Sequence, residues 1–257
     1  MAAMGLLRQG LQRAKRRPAA CLIRMRVSCR SPRCIDPPVS ASSSSVPHYQ
    51  TAGARRADLI VHVAGLALAI GGGAAMLWRA AANEALLLAT CVYALGLLVM
   101  FACSAAYNFA APARQPVLRK LDHAGIFVMI AGSYTPLLVL ALSGTWRWSM
   151  IGVVWGVALF GVFAKLCLPG LGKGFWVAIY LLLGWVGMVA IKPMVAGLPT
   201  AVLWLIAAGG LIYTIGVGFY VRKSMVYNRA LWHAHVLGGA LAHWAAIWLC
   251  LRPLPAA

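Results

Sequence analysis

Two polar pairs spaced four apart, Ser104 with Asn108 and Arg229 with His233, border long apolar stretches, and a lone carboxylate, Asp122, opens another. Four residues rotate a helix by only about 40° beyond a full turn, so each pair stacks on one helical face. Inside a membrane an ionisable group is costly unless it is paired, hydrated or metal-bound, which makes these few residues candidates for function. The competing reading is that Ser104, Asn108 and Asp122 are interhelical hydrogen-bonding glue or interfacial anchors. His235 points about 200° from His233 around a helix, which suits packing or lipid-interface duty. His62, early in the first apolar stretch, and His243, in the middle of the last, read as packing histidines.

Membrane helices are what must position these residues. Hydrophobic residues make up 62% of the chain and charged residues 11%, a balance that would leave a soluble fold without a polar surface. From Leu59 onward the apolar stretches approach the ~20 residues that a helix needs to cross a hydrocarbon core. They lie at about 59 to 78, 85 to 108, 121 to 142, 148 to 166, 174 to 191, 200 to 221 and 231 to 251. Helices are the option left to such segments, because each satisfies its own backbone groups. The expected fold is therefore all-α, a seven-transmembrane helix bundle. The distribution of basic residues tests that count. With the N-terminus cytoplasmic, 19 of the 23 Lys and Arg fall on the cytoplasmic side, leaving Arg79, Arg147, Lys192 and Arg252 on the other. Without the first 56 residues the split is still eight to four. The C-terminus is expected outside, and Ser104, Asn108, Asp122 and His233 at one depth near the inner leaflet.

Only Asp36, Asp58, Glu84 and Asp122 oppose those cations, and the net charge is +19. In a soluble protein that would suggest nucleic acid. Here the basic residues lie in an N-terminal tail or between apolar runs, so anionic lipid headgroups are the expected counter-charge and membrane lipids the expected partners. Residues 1–56, rich in Arg and Ser, read as a disordered basic tail, with Met25 as an internal candidate start. A transit peptide is the alternative for a eukaryotic source. Residues 57–257 form the expected membrane domain, in a bacterial inner membrane or, under that alternative, an organellar one. Of seven cysteines, the four in or beside apolar runs read as packing residues, and those in the tail lack the partners of a zinc module.

Three blocks carry a family resemblance: Ser104 through Tyr107 and Asn108; Lys120, Asp122 and His123 followed by Ala131-Gly132-Ser133-Tyr134-Thr135-Pro136; and Trp232-His233 followed by Val236-Leu237-Gly238-Gly239-Ala240 and His243. Asp58 with His62 and Gly65 is a weaker fourth echo. In these the chain resembles the hemolysin III branch of the progestin and adipoQ receptor family, over about residues 55–252. The resemblance implies a zinc site at the cytoplasmic end of the bundle, with one histidine ending the second span and two, four apart, on the seventh, beside a serine and an aspartate. A zinc-bound water there would suit hydrolysis of a lipid amide or ester. Ser104 and Asp122, the catalytic candidates, and His233, the metal candidate, match the family pattern. Asn108 and Arg229 stand where the other two histidines belong. A carboxamide is a poor zinc ligand and a guanidinium has no lone pair to give, so zinc of the family type is not expected here.

Two arrangements then remain for the charges. Either Asp122 pairs with Arg229, with Asn108 and Ser104 hydrogen-bonding around them, or Arg229 snorkels into the inner headgroups. Weak metal binding by His233 and Asp122, with His123 or His62 recruited, is a further option. Three classes of function follow: a lipid-sensing or membrane-organising member with a degenerate zinc site, a metal-dependent lipid hydrolase, or a lytic protein of the kind the branch is named for. No row of charged or hydroxylated residues along a helix suggests a pore, and no inverted repeat suggests transport.

Overall fold

The computed structural model describes residues 48–168 and 170–251. Most of the expected tail, with Met25, Cys21, Cys29 and Cys34, lies outside the described residues. Those described form seven helices and no strand: α1 (Ala52–Ala80), α2 (Glu84–Phe109), α3 (Gln115–Ala141), α4 (Gly144–Cys167), α5 (Lys173–Gly197), α6 (Thr200–Val221) and α7 (Asn228–Cys250). Each falls on one of the seven apolar stretches. By length and composition, α1 to α6 are each able to cross a membrane. Along α7, Arg229 and three histidines dilute the apolar character of a helix that is long enough, at 23 residues.

Local chemistry explains where the helices begin. The Thr51 side chain accepts the Ala54 N–H at 3.1 Å, so α1 starts well ahead of Leu59 and carries Asp58 inside the helix. Asn83 caps α2 by accepting the Leu86 N–H at 3.0 Å, with Glu84 in the first turn beside the positive end of the helix dipole. In α3, Pro116 occupies the first turn, where its missing N–H costs nothing.

The middle of the bundle is held by close backbone contact. A Cβ added at Gly96 would lie 3.2 Å from the Val128 carbonyl oxygen, and one at Gly132 would lie 3.2 Å from that of Val92. Glycines at both positions let α2 and α3 approach as small residues do at membrane helix interfaces. That contact sets Ser104 and Asn108 on α2 against Asp122 on α3.

Two helices deviate from α geometry, and a side chain answers each deviation. Leu68–Gly72 in α1 is a π turn, and the Trp244 indole donates to the Gly72 carbonyl at 3.1 Å. Val186–Ala190 in α5 is a 3₁₀ turn. There the Tyr134 hydroxyl donates to the Gly184 carbonyl at 2.7 Å and accepts the Gly187 N–H at 2.9 Å.

Tyr93, Phe127 and Leu97 are completely buried, whereas Trp204, Leu182 and Ile60 face outward with about 70% of their surface exposed. An outward face of large apolar side chains suits lipid and not water.

Candidate functional site

Five buried polar side chains from three helices meet at one end of the bundle: Asp58 and His62 from α1, Ser104 and Asn108 from α2, and His233 from α7. Asp58 is wholly buried, and its two oxygens are both engaged. Oδ1 accepts from His233 Nδ1 at 2.6 Å, and Oδ2 accepts from the Tyr49 hydroxyl. The Asp58 backbone carbonyl takes His62 Nδ1 at 2.8 Å, the ordinary reach between positions four apart. Both imidazoles are thereby oriented through Nδ1, and both turn Nε2 toward Ser104 Oγ, His62 at 3.1 Å and His233 at 3.4 Å. Burial of this many polar groups is tolerable because each has a partner.

Asn108 continues the network. Its Nδ2 donates to the Ser104 carbonyl at 3.0 Å and lies 3.4 Å from Ser104 Oγ. Its Oδ1 accepts from His48 Nε2 at 3.0 Å and from Arg229 Nη1 at 3.4 Å, while Arg229 Nε donates to the His48 carbonyl at 3.0 Å. Residues just before α1 are therefore laid across the polar end of the bundle. Burial pushes the His48 imidazole below its ordinary value despite the hydrogen bond it donates to Asn108, so this side chain serves as a neutral donor. Burial pushes the Tyr49 phenol up, and the Asp58 carboxylate adds to the effect, so the phenol keeps its proton for that bond.

The sequence reading brought Ser104, Asn108, Asp122 and His233 to one place, and all four line one cavity of about 430 Å³. Its pairing was different. Among the described residues no ion pair joins Asp122 to Arg229: the guanidinium is taken up by His48 and Asn108, and the carboxylate bonded to His233 is that of Asp58. Nor is Arg229 a free snorkelling side chain. His62, expected to be a packing histidine, belongs to the polar cluster. His243 and His235 do pack, against Tyr213 and Phe219 respectively, each with a ring nitrogen on a backbone carbonyl. Asp58 was noted only in a weaker echo of the family pattern and given no role, and His48 and Tyr49 were missed. For Asp58 the signal was the spacing of four to His62, which puts both on one face of α1; His48 and Tyr49 lie in a tail with no periodicity to place them.

Zinc of the family type can be tested against these residues. The two substituted positions, Asn108 and Arg229, are hydrogen-bonded to each other and to His48, and neither offers a nitrogen lone pair, so they do not fit the ion. Beside them, Asp58, His62 and His233 form a cluster whose donor atoms lie within 4.8 Å of one another, a set that could hold a metal. With both Nδ1 atoms committed to Asp58, an ion would be left with the two Nε2 atoms around Ser104.

The main cavity is strongly basic: Arg119, Lys120, Lys165, Lys173, Lys223 and Arg229 line it, with Asp122 the acid among them. Burial lowers the Lys223 ammonium below its ordinary value, and Arg229 nearby lowers it further. A second cavity of about 230 Å³ is lined mainly by apolar residues of α3, α5, α6 and α7. The two share a wall made of Met100, Ile126, Tyr180, Val217, Trp232 and Val236.

Outward apolar helices around an enclosed polar cluster define an integral membrane protein of the all-helical class. The chain belongs to the haemolysin-III related family, whose pattern matches residues 56–244. It is 36% identical over 137 residues to the hemolysin-3 homolog of Bacillus subtilis (strain 168), covering 53% of this chain and 62% of that protein. To hemolysin-3 of Bacillus cereus it is 33% identical, over 50% of this chain and 59% of the other. The monocyte to macrophage differentiation factor of Homo sapiens is 28% identical over 64% of this chain and 71% of its own length. The match thus spans rather less than two thirds of the Bacillus proteins.

Proposed function

We propose that the chain is a seven-span lipid-binding protein of a bacterial plasma membrane, in which the family's zinc site is degenerate and the basic cavity takes the headgroup of an anionic lipid. The observation that carries this reading is the shared wall between a basic cavity and an apolar one. A polar end and an apolar extension, side by side, have the form of an amphipath. Their combined size lies in the range of ordinary ligand pockets, of about 300–1,000 Å³. His123 strengthens the case: it lines the basic cavity, and its buried Nδ1 has no partner among the described residues. In this reading α7 is the seventh span and the basic cavity faces the cytoplasm, where anionic headgroups attract clustered Lys and Arg.

Native mass spectrometry of the purified protein, released from vesicles containing equal phosphatidylglycerol and phosphatidylcholine, tests the proposal. The anionic lipid should be retained several-fold over the zwitterionic one, and the preference should fall in a Lys165→Glu, Lys173→Glu double variant. Equal retention of both lipids would remove the proposal. Metal analysis of the same preparation should find no zinc bound at Asn108 and Arg229, read as no loss of metal in Asn108→Ala.

A further inference from the structure

Ser104, His233 and Asp58 come from α2, α7 and α1, and they meet in a line: hydroxyl to imidazole at 3.4 Å, imidazole to carboxylate at 2.6 Å. We infer that these three residues form a metal-free relay in which Ser104 Oγ is a nucleophile toward the acyl linkage of a lipid held in the paired cavities. Its substrate class rests on the lipid-binding reading above; the reaction goes beyond it.

The proton accounting favours His233 as the base. Both imidazoles donate through Nδ1, so both present an Nε2 lone pair to one hydroxyl that has one hydrogen to give. Either can accept it, but the resulting cation is stabilised by the closer carboxylate. Asp58 Oδ1 is 2.6 Å from His233 Nδ1 and 3.7 Å from His62 Nδ1. Asp58 is in turn held by a hydrogen bond from the Tyr49 hydroxyl to its other oxygen. This is the division of labour that a serine, a histidine and an aspartate perform on unrelated folds. His62 Nε2, 3.1 Å from Oγ, is then a competing acceptor for the same hydrogen and not the base. Asn108 Nδ2, 3.4 Å from Ser104 Oγ, is a donor next to the point where negative charge would develop.

The position of the serine fits an acyl lipid. Met100, one turn before Ser104 on the same face of α2, lines both cavities, as do Trp232 and Val236 on either side of His233. Ser104 therefore stands at the junction, where the ester or amide of a lipid with its headgroup in the basic cavity would lie. Attack by Oγ on the carbonyl carbon forms a C–O bond as the hydroxyl proton passes to His233 Nε2. The tetrahedral intermediate collapses, the bond to the headgroup oxygen or nitrogen breaks, and that atom takes the proton from His233. Water then attacks the acyl-serine with His233 again accepting a proton, and the carboxylic acid leaves as Oγ recovers its hydrogen. The net change is one linkage hydrolysed by one water, with no oxidant or reductant.

A long-chain alkyl fluorophosphonate tests this on the full-length protein in detergent, read by intact mass. Attack by an activated serine forms a Ser–O–P bond and expels fluoride. The expected result is one adduct per chain, absent in Ser104→Ala, slowed by about a hundredfold or more in His233→Gln and Asp58→Asn, and unchanged by a chelator. Circular dichroism and unfolding in detergent, measured on the same variants, show whether each still folds, since Ser104 and His233 themselves line the basic cavity. Wild-type protein that retains anionic lipid but acquires no adduct would overturn the relay and leave the binding reading standing. Labelling that disappears with chelator, or persists in Ser104→Ala, would also overturn it. An adduct on Ser104 in protein that retains no anionic lipid would support the nucleophile and overturn its substrate class.

Discussion

At Asp58 one carboxylate and its own carbonyl serve Tyr49, His62 and His233 together. Such a hub is worth more than any one of its bonds, because removing a partner leaves buried charge unsatisfied. Tyr49→Phe deletes a single donor to a charged acceptor and should lower stability by about 1.5–3 kcal/mol, measured by unfolding in mixed detergent at neutral pH. Its pH dependence has a definite sign. The folded phenol is raised above its ordinary value near 10, so its contribution is complete below pH 10 and is lost as pH rises toward the higher folded value. The wild type should therefore lose more stability than Tyr49→Phe above pH 10, and parallel alkaline profiles would contradict the assigned bond. The substituted family positions make a second test. Restoring the imidazoles in an Asn108→His, Arg229→His double variant should raise zinc content toward about one per chain by elemental analysis, since three histidines would then surround one point. No gain in zinc would show that something besides those two substitutions excludes the metal.

Among the elements, the helices were legible because a bilayer admits little else for stretches of this length and greasiness. Ser104, Asn108 and His233 were legible as well, because topology brings their helix ends to one depth. The pairing among them was not. Which carboxylate reaches His233 depends on the rotation of α1 about its axis, and that rotation is set by close packing such as Gly65, where an added Cβ would sit 2.4 Å from the Phe101 ring. Composition does not encode such a contact, and the spacing of Asp58 to His62 only hints at the face. The π turn at Leu68–Gly72 adds a further local rotation that no regular periodicity foretells. Close packing between α2 and α3 gives the prediction at this scale. Gly132→Leu drives a side chain toward the Val92 carbonyl of a neighbouring backbone, which cannot step aside as a flexible side chain would. The expected cost is about 1–3 kcal/mol, read by the same unfolding assay. The matching Gly152→Leu, where an added Cβ meets nothing within 4 Å, should be nearly silent. Equal losses in the two variants would mean that close approach of α2 and α3 does not hold the bundle.

For the molecule as a whole, the direction in which it threads the membrane decides which leaflet feeds the basic cavity. The two ends of the bundle treat their cations differently. Arg79 and Arg147, at the end away from the cavity, each donate to a carbonyl that finishes a helix, Leu251 at 2.8 Å and Leu142 at 2.7 Å. There the basic residues satisfy backbone groups and act as caps. At the cavity end, Arg119, Lys165, Lys173 and Lys223 gather around an open volume, an accumulation that costs repulsion unless anions offset it. In the proposed orientation a cytoplasmic leaflet rich in anionic lipid would supply that offset, and the same excess of cations would resist translocation during insertion. Single cysteines placed by Ala113→Cys and Met225→Cys in the cavity-end loops of a cysteine-free variant should thus be shielded from an impermeant maleimide in intact cells. Ala82→Cys and Ser143→Cys at the opposite end should be labelled. The reverse pattern would turn the cavity toward the outer leaflet. Labelling of Ala113→Cys but not Met225→Cys would break the alternation between the loops after α2 and α6 and remove one of the seven proposed crossings.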